Sequence, residues 1–250
     1  MKEIVAFDLD GTLALSKQPL TDEMAELLAG LLEVTQVAVI SGGDWPQFEK
    51  QVASRMPAHA DLSRLWMMPT SGAKLFVHRD GTWTPVYAEL FTDAQKTEIL
   101  DAFDAALEAT GFVPEQTWGE RIEDRGSQIT FSALGQQAPL EAKEVWDPDF
   151  AKRKVIQADL VKRLPGVSVN LGGATSVDIT QPGVDKAWGL KRLAEHSGVA
   201  EDKMLFIGDA IFPGGNDYPA KAMGLDTVCV RDPADTINVV TAIIACQKSA

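Results

Sequence analysis

The sequence predicts an α/β protein, a parallel-sheet core interrupted by an inserted α+β domain, and three observations predict it. Three short apolar runs, at residues 4–7, 36–40 and 204–207, each stop at small or acidic residues, as buried parallel strands do. The first two are joined by a helical pattern within roughly forty residues, the βαβ unit of a parallel sheet. Between residues 84 and 183 the character changes, with alternating and hairpin-like runs in place of the parallel pattern. The core is assigned to residues 1–83 and 184–250, and the insertion to 84–183.

The chain opens on Ile4-Val5-Ala6-Phe7-Asp8-Leu9-Asp10-Gly11-Thr12. Four apolar residues rich in β-formers run into two carboxylates one residue apart. Open α/β sheets place their chemistry just past the carboxyl ends of strands. Two acids so close repel each other, and burying them unpaired is costly. A hard divalent cation such as Mg2+ relieves both problems, and a metal-bound Asp8 can attack phosphorus to form an aspartyl-phosphate. Thr21-Asp22-Glu23 starts a helix with apolar residues at Met24, Leu27, Leu28, Leu31 and Leu32. The second strand ends in Ser41-Gly42-Gly43-Asp44, where Ser41 can hydrogen-bond a phosphate oxygen and Gly42 can offer its N–H. A helix follows over 45–56, then a strand at 74–77 ending in the turn His78-Arg79-Asp80-Gly81.

In the insertion, a helix is expected over 93–110 and a half-exposed antiparallel strand over 128–132. A second helix is expected over 148–164, then a hairpin of 167–171 and 176–179 joined through Gly172-Gly173. The parallel pattern resumes with a helix from Asp185-Lys186. The third apolar run then ends in Gly208-Asp209, followed by Pro213-Gly214-Gly215-Asn216-Asp217. Three strands thus carry Asp8 and Asp10, Ser41, and Asp209 to one sheet edge. Carboxylates from two of them suit an octahedral Mg2+ that keeps sites for water and phosphate. Lys186 can bring its ammonium to the same place, neutralising phosphate and nucleophile together.

Composition sets the bounds. With 45% hydrophobic and 24% charged residues over 250 positions, the chain reads as a soluble globular protein. A net charge of −13 argues against general nucleic-acid binding and against anionic membranes. An anionic substrate must therefore be held by local positive charge. The first strand begins too early for a signal peptide, and no apolar stretch is long enough to span a bilayer. Cys229 and Cys246 form no metal-type cluster, and a cytoplasmic address is expected.

Asp8-x-Asp10-Gly11-Thr12, Ser41, Lys186 and Gly208-Asp209…Asn216-Asp217 resemble the four motifs of the haloacid-dehalogenase-like phosphotransferases. The resemblance implies a Rossmann-like parallel-sheet core with an inserted cap, Asp8 as nucleophile and Asp10 as general acid/base with its carbonyl on Mg2+. It also implies Asp209 as a metal ligand, with Asp217 supporting the metal. A cap of this kind resembles the branch acting on small phosphorylated molecules, mostly sugar phosphates. Asp209-Ala210-Ile211-Phe212-Pro213-Gly214-Gly215-Asn216-Asp217-Tyr218 and Ser176-Val177-Asp178 are similar to segments of the eukaryotic-type phosphomannomutases. By that likeness Ser176, Asp178 and Asn216 join the substrate site, and Arg125 is a phosphate-binding cap arginine aided by Arg121. The pattern departs in three places. Gln136 follows Gly135 where that family carries arginine, and Lys143 and Lys17 stand near two further expected arginines. Lysine binds phosphate as a point charge without arginine's bidentate fork.

Two outcomes share this chemistry. Water as second nucleophile makes a phosphatase, and a sugar hydroxyl makes a mutase. The weakened cap grip favours a hexose-phosphate phosphatase over a phosphomannomutase-like mutase. A phospho-accepting signalling domain needs neither the second aspartate nor an insertion of roughly a hundred residues. The expected partner is a small phosphorylated sugar, and an apolar cap face could pair two chains as a homodimer.

Overall fold

The computed structural model describes residues 1–112 and 114–248, and the chain divides into two compact units, Met1–Ala88 with Asp185–Ala250, and Glu89–Val184. The first boundary falls five residues later than the sequence suggests. The reason is an additional strand, β5 (Thr82–Ala88), which pairs antiparallel with β4 (Lys74–Arg79) and so belongs to the first unit.

The first unit is built on a seven-stranded sheet. Its order is β11 (Asp226–Cys229), β10 (Met204–Gly208), β1 (Ile4–Phe7), β2 (Gln36–Ile40), β3 (Leu65–Met68), β4, β5. The first five are parallel, and β4 and β5 form an antiparallel edge. Every residue of β1 is fully buried, because helices cover both sheet faces. Over one face lie α1 (Asp22–Leu32), α2 (Trp45–Gln51) and α8 (Pro233–Lys248), through Leu28, Phe48 and Val240. Over the other lie α6 (Lys186–Ser197) and α7 (Tyr218–Ala222), through Leu190, Leu193 and Ala220. Thr21 caps α1 by accepting the Met24 N–H at 3.2 Å. The helix expected over 45–56 stops at Gln51 and passes into a single 3-10 turn at Ala53–Arg55.

The second unit is a four-stranded antiparallel sheet ordered β6 (Ile122–Asp124), β7 (Gln128–Ser132), β9 (Ser176–Thr180), β8 (Ser168–Leu171). Helices α3 (Asp93–Thr110) and α5 (Ala151–Arg163) pack on one face, where Phe103, Ile156 and Leu160 meet Ile129, Phe131, Val177 and Ile179. The helix expected over 148–164 is α5, which starts only at Ala151 because its N-cap Phe150 is left-handed, with φ +65°; α4 (Leu140–Trp146) precedes it as an additional helix. β7 is buried along its whole length and not half-exposed. Its polar residues are satisfied locally: Thr130 bonds Gln128 and Asp178, and Ser132 bonds the Gly135 carbonyl. No helix among the described residues is long and apolar enough to cross a membrane.

Candidate active site

The parallel strands deliver acids from distant parts of the chain to one place. Asp8 directly follows β1 and continues its ladder, its N–H donating to the Ile207 carbonyl at 3.0 Å. Asp209 directly follows β10, and Asp217 lies in the loop ahead of α7. Oxygens of Asp8, Asp209 and Asp217 all fall within 4.8 Å of one another. Gly11 makes room for this approach. Its φ is +89°, and a Cβ there would meet Asp209 Oδ2 at 2.5 Å.

Lys186, the first residue of α6, is almost fully buried among these acids. Its Nζ donates to Asp8 Oδ1 at 2.5 Å and also to Asp217 Oδ1, while Asp217 Oδ2 accepts the Ala210 N–H at 3.0 Å. Burial works against the Lys186 ammonium, but Asp217 and Asp8 outweigh it and raise its pKa above the ordinary lysine value. Burial pushes the Asp8 carboxyl well up, against the pull of Lys186 and with the push of Asp217 and Asp209. Burial likewise raises Asp209, with Asp217 adding to it. With all three carboxylates ionised and one ammonium beside them, the cluster carries two uncompensated negative charges, the repulsion that Asp217 and Asp209 exert on Asp8. A hard, oxygen-seeking divalent cation fits that donor set and that deficit.

Asp10 stands apart from this cluster by its side chain. Its carboxylate accepts the Lys17 N–H at 2.6 Å, Gln47 Nε2 at 2.8 Å and Gln51 Nε2 at 3.3 Å. Its side chain is not part of the Asp8, Asp209 and Asp217 cluster. Gln47 and Gln51 were not apparent as site residues from sequence. Their signal is their spacing of four on α2, which puts both amides on one helix face. Ser41, directly after β2, is buried, and half-buried Gly42 follows it. Asn216 is exposed in the loop before Asp217.

In the second unit, Arg125, Ser176 and Asp178 share the sheet face opposite α3 and α5. Arg125 donates to Glu123 Oε2 at 2.7 Å, and Thr130 donates to Asp178 Oδ1 at 2.8 Å. Burial raises the Asp178 pKa against the pull of Arg125. Arg121 does not join this group. Its guanidinium lies 5.0 Å over the Phe131 ring on the helix-covered side, and burial lowers its pKa, with Asp104 of α3 opposing. Arg121 sits at a bend just before β6. Lys143 is carried on α4, off the sheet.

A parallel sheet bearing Asp8-x-Asp10 after its first strand, Asp209 and Asp217 beyond another and Lys186 from a helix between defines a phosphotransferase of the haloacid-dehalogenase-like class. Solved structures agree on the fold. A Plasmodium falciparum IMP-nucleotidase superposes with a TM-score of 0.72 at 18% identity, covering 97% of this chain and 70% of that one. An Aspergillus fumigatus trehalose-6-phosphate phosphatase gives 0.55 at 21% identity, covering 98% and 93%. The profile described as eukaryotic phosphomannomutase matches residues 24–246. A phosphomannomutase of Spinacia oleracea is 25% identical over 98% of this chain and 97% of its own length. One of Schizosaccharomyces pombe is 28% identical over 87% and 84%. The chain belongs to the eukaryotic phosphomannomutase family and is an enzyme of the phosphatase or phosphomutase type.

Proposed function

We propose that this protein is a Mg2+-dependent hexose-phosphate mutase that transfers the phosphoryl group through an aspartyl-phosphate on Asp8. The observation that carries the chemistry is the buried Asp8–Lys186–Asp217 cluster with Asp209 beside it. Family membership and the relatives' names favour the mutase over the phosphatase suggested by the sequence.

Asp8 attacks the phosphorus in line, and the bond to the sugar oxygen breaks. Lys186 and Ser41 hold the equatorial oxygens as charge shifts onto them. Asp10, fixed by Gln47, Gln51 and the Lys17 N–H, donates a proton to the departing oxygen. The same carboxylate then takes the proton of the incoming hydroxyl, which attacks the aspartyl-phosphate and frees Asp8. Asp8, Asp209 and the Asp10 carbonyl, with Asp217 in support, would hold Mg2+, which when bound would supply the charge neutralisation that the carboxylates lack. Ser176, Asp178 and Arg125 recognise the sugar and its second anionic group.

A phosphatase is the second reading, and it too has a specific basis. Gln136 stands at an expected arginine, Lys17 and Lys143 near two more, and Arg121 lies on the helix-covered side of its sheet. The test is a Mg2+-dependent assay of hexose 1- and 6-phosphates, following both isomerised product and free phosphate. Isomerisation in the presence of a hexose 1,6-bisphosphate supports the mutase. Phosphate release without isomerisation rejects it in favour of the phosphatase. Turnover by Asp8→Asn would remove Asp8 as nucleophile under either reading.

A further inference from the structure

We infer that Gly189 is a positioning residue for Lys186, seating α6 directly on the backbone of the turn that also holds the Ser41 loop. The inference rests on the proposed role of Lys186 in phosphoryl transfer. Lys186 and Gly189 lie three positions apart on α6 and share its buried face with Leu190 and Leu193. Glycine is a poor residue inside a helix, and here its missing side chain is what the packing uses. A Cβ on Gly189 would meet Ile40 Cδ1 at 2.6 Å, the Ser71 carbonyl oxygen at 2.9 Å and Gly72 Cα at 3.0 Å. Seen from the other side, a Cβ on Gly72 would meet Gly189 Cα at 2.5 Å. Two backbones therefore touch with no side chain between them. An isoleucine tip can swing away, but two backbone segments cannot, so any side chain at 189 must lift the helix.

The turn beneath α6 has an unusual conformation. Thr70, Ser71 and Gly72 have φ of +51°, +57° and +86°, three successive left-handed residues of which two carry side chains that disfavour it. This geometry aims the Thr70 N–H at the Gly43 carbonyl and the Ser71 N–H at the Ser41 carbonyl, each at 2.8 Å. The turn thus fixes the loop that carries Ser41 and, through Gly72 against Gly189, the height of the helix that carries Lys186. Both groups assigned to the phosphoryl oxygens are referenced to one rigid turn.

The test is Gly189→Ala, assayed with Mg2+ beside the wild type, Lys186→Ala and a control, Gly30→Ala. The control makes the same exchange inside a helix, α1, where the added Cβ would meet only Ile244 Cδ1 at 3.7 Å. Displacing a catalytic group by up to an ångström can cost about a hundredfold. Gly189→Ala should therefore lose about tenfold or more in kcat with KM within about threefold, while Gly30→Ala keeps both. A crystal structure of metal-free Gly189→Ala should show Lys186 Nζ drawn away from Asp8. If Gly189→Ala does not fold, Gly189→Ala/Ile40→Val, which lacks the nearest contact, is read the same way. Wild-type kcat in a folded position-189 variant, with Lys186→Ala inactive, overturns the inference alone. Turnover by Lys186→Ala overturns the catalytic reading beneath it.

Discussion

Arg153→Met removes a buried cation on which the second unit closes. The Arg153 and Asp147 side chains are 2% and 0% exposed, and Arg153 Nε donates to Asp147 Oδ2 at 2.7 Å. The same guanidinium donates to the Gly172 and Gly173 carbonyls and to that of Asp147, and lies 4.5 Å over the Phe150 ring. Breaking a buried pair from one side costs about 3–5 kcal/mol, because the remaining charge stays desolvated. Asp147 would still accept the backbone N–H groups of Lys152 and residue 153, at 2.8 and 3.2 Å. The expected loss is therefore near the lower end, about 3 kcal/mol, or about a hundredfold in the folding equilibrium. Its pH dependence has a definite sign. Burial alone would raise Asp147, but the hydrogen bond from Arg153, with those from the two backbone N–H groups, outweighs it and holds the carboxyl below its ordinary value. Such a group contributes stability above its unfolded pKa, about 3.9, and loses it as pH falls through the lower folded value. The deficit of the variant should be full at pH 7 and shrink below about pH 4. Urea unfolding followed by the fluorescence of Trp118 and Trp146, both in this unit, measures it. A deficit under about 1 kcal/mol at pH 7, or one as large at pH 3 as at pH 7, would refute the reasoning. The variant should also raise KM for sugar phosphates. The released Gly172-Gly173 turn exchanges hydrogen bonds with Ser176 at 2.9 and 3.2 Å, and Asp178 lies on the next strand positions.

Three further outcomes are expected. Arg125→Ala should raise KM for a hexose phosphate by about tenfold or more, as for a lost charge-assisted hydrogen bond, and leave a small aryl phosphate nearly unaffected. Arg121→Ala should change neither, and equal effects of Arg125→Ala on both substrates would take Arg125 out of the site. Gly11→Ala should lower kcat by about two orders of magnitude, because its Cβ needs the space of the Asp209 carboxylate; wild-type kinetics with Mg2+ would refute this. Chelation of divalent cations should abolish turnover, and added Mg2+ should raise the thermal midpoint of metal-free protein by relieving repulsion among Asp8, Asp209 and Asp217. Full activity in excess chelator would exclude the metal from the reaction.

Element type was legible wherever the chain writes it locally. The apolar runs at 4–7, 36–40 and 204–207 became β1, β2 and β10 in parallel register, and Thr21 and Asp185 cap helices by hydrogen bonds to residues three positions on. The misses have local causes too. β5 carries Pro85, which is tolerable because β5 is an edge strand. Phe150 delays the start of the helix expected from residue 148 through a left-handed conformation that phenylalanine rarely adopts.

By itself, then, the sequence determined the reactive groups and the strand ends that carry them, since residue type and short-range periodicity are local properties of the chain. Only the tertiary structure decided which groups meet and which way they face. Asp8 and Lys186 pair across 178 positions, Gln47 and Gln51 close on Asp10, and Arg121 turns away from Arg125. Those outcomes depend on chain closure and on which sheet face the helices cover, and no run of neighbouring residues encodes either.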